Sequence, residues 1–414
     1  MNTLEQLKNE YARYQAMGLK MDMSRGKPGP DTLVLSDDMM ACVDATNYKA
    51  ADGTDTRNYG VLEGIAECRA LFGELLGVSA DKVLVGGNSS LALQFDFVTM
   101  AMTHGLRGNS PWKAGKTKVL FPVPGYDRHF AIAAHYGLEA VTVPMNADGP
   151  DMDAVEKMVA EDDSISCLWC VPKYSNPTGI TFSDDVVKRL AAMKTAAPDF
   201  TIIYDNAYCV HDLYPQGDVL RNIMVDCENA GNPERVVAVC STSKISFPGA
   251  GVCAMTAGPE TMAQFKKRLF FQTIGHDKIN MLRHTRYYRD MAGITAHMQK
   301  LADVLRPKFD LVLSILEERL AGKGVAQWFA PRGGYFISVD VNPGCAKRTL
   351  QLMKEAGVVM TPAGATYPTL VAGGPGGDPE DRNIRIAPTF PGLEELKTCA
   401  ELFCVCAEMV WMDK

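Results

Sequence analysis

Between residues 62 and 257 the chain alternates short apolar runs with stretches of helical period. The apolar runs fall at 82–85, 118–123, 140–144, 166–171, 201–204, 236–240 and 252–257. Helical periodicity falls at 62–76, 91–106, 126–136, 153–160 and 184–195. The runs are near-continuous and do not alternate apolar with polar. A strand that is apolar on both faces must be covered on both, so the pattern specifies an α/β fold with a mostly parallel, doubly wound sheet. Sheets of this kind gather functional groups at the carboxyl ends of their strands.

Outside that region the pattern changes. Residues 3–18 read as an amphipathic helix with Leu4, Leu7, Tyr11 and Tyr14 on one face. Residues 277–320 read as helix, broken once at Pro307. The last part mixes strands at 334–341, 358–361 and 383–387 with helices at 348–356 and 393–410. A chain of 414 residues exceeds one comfortable core. The expected division is a large domain over 48–303 and a smaller α+β domain over 304–414, with 1–47 packing on the latter. The run Gly373-Gly374-Pro375-Gly376-Gly377 reads as a flexible loop without chemistry.

Net charge is −7, from 42 basic and 49 acidic residues, which argues against nucleic acid or a membrane surface as partner. No apolar run approaches the roughly 20 residues that span a bilayer, and residues 1–5 lack the pattern of a signal peptide. The twelve cysteines read as reduced core thiols of a cytoplasmic protein. Cys167-Leu168-Trp169-Cys170 has no second pair and no nearby histidine, so no metal is expected.

Four segments at strand ends carry chemistry. Gly86-Gly87-Asn88-Ser89-Ser90 opens a helix, where small residues and the helix dipole suit an anion, although serine and asparagine also cap helices with no ligand. Lys173-Tyr174-Ser175-Asn176-Pro177-Thr178-Gly179 follows a strand, and is also compatible with a plain turn. In Tyr204-Asp205-Asn206-Ala207-Tyr208 a carboxylate ends a buried strand and needs a partner. Ser241-Thr242-Ser243-Lys244 puts a lysine at the end of another. Alone that lysine reads as a surface group, but a buried amine with a depressed pKa is what covalent capture of a carbonyl requires. Together the four meet the needs of a pyridoxal phosphate ring: an anion at its nitrogen, donors at its phenolic oxygen, a phosphate cradle and a lysine.

With these motifs in this order, and Arg385 late in the chain, the sequence resembles the class I/II aminotransferases among fold-type I pyridoxal-phosphate enzymes. The segments Ser24-Arg25-Gly26-Lys27-Pro28 and Pro124-Gly125-Tyr126-Asp127-Arg128-His129 are most similar to the bacterial aspartate aminotransferases of subgroup Ic. The resemblance implies pyridoxal 5′-phosphate held covalently by Lys244, which also moves the proton at the substrate Cα. It implies Asp205 at the pyridine nitrogen, Tyr208 and Asn176 at the phenolic oxygen, and Tyr126 stacked on the ring. His129 falls where some members back the aspartate, or is a plain helix-face histidine. Asn88, Ser89, Ser90, Ser241 and Ser243 are implied for the phosphate. Tyr59 matches a tyrosine that reaches the neighbouring subunit's site, which implies a homodimer. Arg385 is implied for the substrate α-carboxylate, with Asn176 and Gly26 beside it, and Pro177 for a cis peptide bond.

In one respect the chain departs from the family pattern. Most relatives place a phosphate-binding arginine eight residues after the lysine, where this chain has Val252. The reaction implied is ping-pong transfer of an amino group, with aspartate and 2-oxoglutarate as first choice. Lys27 and Arg128 are candidates for the side-chain carboxylate, and each reads equally as a surface charge. Aromatic or alanine donors, and a lyase on the same fold, stay open. A DNA-binding regulator does not fit a chain with one helix before Ser24 and an acidic balance.

Overall fold

The computed structural model describes residues 3–24, 26–115, 118–369 and 377–414. The glycine-rich loop from Gly373 lies, as far as Gly376, outside the described residues.

The seven predicted apolar runs and one unpredicted strand, Gly149–Pro150, form an eight-stranded sheet. Its order is Leu84–Val85, Cys253–Ala257, Val236–Ser241, Thr201–Asp205, Ile165–Cys170, Lys118–Val123, Glu139–Asn146 and Gly149–Pro150. The five strands from Val236–Ser241 to Glu139–Asn146 pair in parallel. Cys253–Ala257 runs antiparallel to its neighbours. Every residue of Ile165–Cys170, Thr201–Asp205 and Val236–Ser241 is buried. That is why these strands read as unbroken apolar runs: separate apolar clusters cover the two faces of the sheet.

Helix ends follow local chemistry. Ser183 caps Asp184–Ala192 through the backbone N–H of Val186, and Asp151 caps Met152–Glu161 through that of Ala154. The expected break at Pro307 does not occur. One helix, Met291–Leu320, runs through that proline. The break lies at Arg289, whose φ is +67°, and Asp290, which caps the new helix through the N–H of Gly293. A Cβ on Gly293 would stand 1.7 Å from the Tyr288 carbonyl oxygen, so this corner admits only glycine. Pro307 forfeits one backbone hydrogen bond, but Leu305, Phe309 and Val312 bury the same helix face and hold it.

A second sheet has Ile337–Val341 between antiparallel Ala326–Trp328 and Asn383–Ile386. Met21–Met23 pairs in parallel with Val358–Met360. The first helix, Leu4–Ala16, packs on the C-terminal part, with Tyr11 Oη donating to the Leu352 carbonyl and Tyr14 Oη to Glu401. No helix among the described residues is long and apolar enough to cross a membrane. All twelve cysteines are free, and no metal-ligand cluster occurs among the described residues.

Candidate active site

A cavity of about 290 Å³ opens at the carboxyl ends of the parallel strands. Register brings its walls together: Asp205 ends one strand, Ser241 ends the next, and Asp205 pairs with Val239. Ten residues singled out in the sequence line it: Asn88, Ser89, Ser90, Tyr126, Asn176, Asp205, Tyr208, Ser241, Ser243 and Lys244.

Asp205 is 3 % exposed. Its Oδ2 accepts from Gln94 Nε2 at 3.0 Å and lies 3.1 Å from His129 Nε2. Its Oδ1 is buried without a partner, although it belongs to a residue lining the cavity. Behind this carboxylate stands a layer the sequence reading missed. Trp169 stacks on the His129 ring at 4.7 Å and donates its indole N–H to Gln94 Oε1 at 2.6 Å. The available signal was a lone amide, Gln94, on the buried face of the helix Ser90–His104 beside Leu93 and Phe97.

Lys244 sits opposite, half-buried, with Nζ 5.1 Å from the Tyr208 ring centre. Loss of water around the ammonium pulls its pKa below the lysine value of 10.5; Asp205 opposes the shift and Arg385 adds to it. The loop that carries it is pinned from below. Burial pulls His284 down to about 4, so its ring is neutral. Its Nδ1 then donates to the Asn280 carbonyl at 2.8 Å, and the single lone pair of Nε2 faces the Thr242 and Ser246 hydroxyls, each at 3.0 Å. His297 Nε2 lies 2.8 Å from the Ile245 carbonyl. Burial, with Asp205 and Asp127 adding to it, pushes Tyr126 up to about 12, and burial pushes Tyr208 well above the ordinary phenol value. Both stay protonated and can donate.

At the other end, the N-terminal turn of Ser90–His104 meets a hydroxyl cluster: Ser241 Oγ donates to Ser243 Oγ at 3.1 Å, and Ser243 Oγ to the Asn88 carbonyl at 3.0 Å. Free N–H groups and hydroxyls here suit an anion. Val252 is 2 % exposed and points no charge at this cluster. Across Asn88 lies a smaller cavity of about 160 Å³, lined by Gly86, Gly87, Gly251, Val252, Asp277 and Arg283 among others. Arg283 Nε is buried there without a partner.

Arg385 joins the site through Asn176: its Nη1 donates to Asn176 Oδ1 at 3.1 Å, and its guanidinium lies 4.8 Å from the Phe336 ring centre. The strand Asn383–Ile386 positions it, with Arg385 opposite Ser338. Gly26 abuts the same Phe336 ring, so closely that a Cβ would lie 2.3 Å from it. The peptide bonds before Pro177 and Pro124 are cis. Lys27 and Arg128 are not brought to the cavity wall: Lys27 Nζ lies 4.1 Å from the Phe390 ring centre, and Arg128 is exposed. Tyr59 is 82 % exposed, away from its own chain's cavity.

A family model described as aspartate amino-transferase matches residues 1–414. The chain belongs to the aspartate aminotransferase family. It is 45 % identical to an aspartate aminotransferase of Corynebacterium glutamicum, over 97 % of this chain and 92 % of the relative. The crystal structure of an aspartate transaminase from the same species superposes with a TM-score of 0.95 at 44 % identity, covering 99 % of this chain and 96 % of that one. An α-aminoadipate aminotransferase from Thermus thermophilus, complexed with N-(5′-phosphopyridoxyl)-L-leucine, shares the fold at 20 % identity and a TM-score of 0.76, over 98 % and 96 % of the two chains.

As a member of this family the protein is an aminotransferase that works with pyridoxal 5′-phosphate, and the residues present fit that group. The unpartnered Asp205 Oδ1 suits a protonated ring nitrogen, the half-buried Lys244 an aldehyde carbon, and the hydroxyl cluster at a helix N-terminus a phosphate.

Proposed function

We propose that the enzyme transfers the amino group of aspartate to 2-oxoglutarate. The observation that carries amino-group transfer is that Lys244 and Asp205 line one cavity, which Asn176 links to the buried guanidinium of Arg385. The name of the close relative supports the choice of donor.

When bound, pyridoxal phosphate supplies an electron sink for the bond that breaks at the substrate Cα. Every other task falls to the chain. The Asp205 carboxylate keeps the ring nitrogen protonated. Asn176 spends its Oδ1 on Arg385, which leaves its Nδ2 to donate into the cavity toward the phenolic oxygen, beside the Tyr208 hydroxyl. Tyr126 packs on the ring. Asn88, Ser89, Ser90, Ser241 and Ser243 hold the phosphate, and Lys244 moves the proton at the substrate Cα. Arg385 grips the α-carboxylate beside Gly26. Lys27 and Arg128 line no part of the cavity, so either one serves the side-chain carboxylate only if its side chain swings toward the site when substrate binds.

For the charge that Val252 does not provide, we assign Arg283. Arg283 lines the small cavity across Asn88 from the hydroxyl cluster, its buried Nε has no partner, and Asn280, one turn before it, anchors the Ala250 and Gly251 carbonyls. Asp277 lines the same space, capping the helix Lys278–Tyr288.

The working form is read as a homodimer in the cytoplasm. Tyr59, Phe270, Phe271 and Ile274 are between 60 % and 82 % exposed, and Gly275 abuts the Gly60 carbonyl, which brings the two segments that carry these apolar side chains together. Twelve unpaired thiols suit a reducing compartment. The division into 48–303 and 304–414, with 1–47 on the latter, stays part of this proposal: the pairing of Met21–Met23 with Val358–Met360 supports it for the first strand, whereas the Leu35 carbonyl accepts from Tyr287 and the 303/304 boundary falls inside the helix Met291–Leu320.

A panel of amino donors with 2-oxoglutarate tests the assignment. Aspartate is expected to give the highest kcat/KM. Preference for an aromatic donor or alanine overturns it.

A further inference from the structure

Arg385 is 7 % exposed, so its charge needs a partner at every stage of the reaction cycle. Its Nη1 carries two hydrogens, and two oxygens take them. Asp127 Oδ1 and Asn176 Oδ1 each lie at 3.1 Å. Nε and Nη2 reach Thr361 Oγ1 at 3.4 Å, longer than a strong N–H···O bond. The Phe336 ring beneath the guanidinium restrains its plane.

A substrate carboxylate that grips the guanidinium tip needs one N–H from Nη1 and one from Nη2. Both Nη1 hydrogens are already engaged, so one acceptor must leave. Asn176 is 3 % exposed and is fixed in the cavity wall. Asp127 is the first residue of the helix Asp127–His135, and its side chain is 38 % exposed. It can turn into water at little cost, whereas Asn176 cannot.

We propose that Asp127 is a stand-in for the substrate carboxylate: it neutralises Arg385 in the ligand-free enzyme and is displaced when substrate binds. This rests on the reading of Arg385 as the carboxylate clamp. The arrangement keeps the guanidinium paired in both states. It also makes every incoming carboxylate compete with an internal one. Binding is weakened, and the product acid is helped to leave as Asp127 returns. Asp127 is thus a positioning residue that sets affinity and takes no part in bond making.

The test is a titration of the holoenzyme with succinate, an unreactive dicarboxylate, followed by the absorbance of the bound cofactor. In Asp127→Asn, and in Asp127→Ala as the second variant, the succinate dissociation constant is expected to fall about three- to tenfold at low ionic strength. The gain should shrink in high salt, because it comes from removing a charge. KM for the amino acid and the oxo acid should fall together while kcat does not rise. An unchanged or larger dissociation constant in both variants overturns the proposal and makes Asp127 an orienting group. Arg385→Met separates the two readings: wild-type succinate binding in that variant removes the clamp itself, and Asp127 with it.

Discussion

Asp205 and His129 meet at one oxygen only: Oδ2 lies 3.1 Å from His129 Nε2, while Oδ1 is buried without a partner on a cavity-lining residue. The carboxylate is thus oriented from behind and left free in front. Asp205→Ala is expected to lower kcat about a hundredfold or more, since a charge-assisted bond to the ring nitrogen is lost. His129→Ala removes one bond to the carboxylate and should cost about tenfold. Single-turnover kinetics with saturating cofactor will measure both; an unaffected His129→Ala would show that the ring only fills space.

The depressed pKa of Lys244 has a definite sign. Burial shifts Lys244 toward the neutral amine, the form that attacks an aldehyde. The rate at which apoenzyme captures pyridoxal phosphate should rise with pH and level off below 10.5, the ordinary lysine value. Because Arg385 adds to the depression, Arg385→Met should move that plateau to higher pH. Stopped-flow absorbance reads the profile; a plateau at or above 10.5 in the wild type would mean that the amine is not desolvated. Lys244→Ala should retain no cofactor covalently after borohydride reduction.

Arg283→Met should weaken pyridoxal phosphate binding to the apoenzyme by about tenfold or more, the worth of one charge-assisted hydrogen bond. Quenching of tryptophan fluorescence during cofactor titration gives the constant without any turnover. Inorganic phosphate should protect wild-type apoenzyme against heat and protect the variant less. Equal cofactor affinity in the two proteins would return the phosphate charge to an unidentified group.

Tyr59 bears on the assembly. Sedimentation should give twice the 45.1 kDa chain mass, and Tyr59→Phe should raise the cofactor dissociation constant a few-fold, about three- to tenfold, without changing that mass. A monomer with full activity would remove Tyr59 from the site.

The strand ends were legible in the sequence because a strand buried on both faces is written as an unbroken apolar run, so Asp205 and Lys244 stand out as charges that end one. Elements that depend on distant partners were not. Met21–Met23 is three residues long and becomes a strand only beside Val358–Met360. The short helix Ile223–Asn229 depends on the Asn222 side chain, which caps it through Met224 and Val225. Pro307 drew attention as a helix breaker, but the break was decided by Arg289, Asp290 and Gly293, whose geometry no periodicity reveals. Gln94 and Trp169 look like core residues until their bond to each other and to Asp205 is seen.

The pairing of Met21–Met23 with Val358–Met360 also sets a schedule for the newborn chain. At about 5–20 residues added per second, the first strand leaves the ribosome tens of seconds before its neighbour exists. Gly26 and Lys27, which follow that strand directly, cannot reach their final places until then. The end of the site proposed to take substrate is therefore completed last, after the sheet that lines the cavity has already been synthesised.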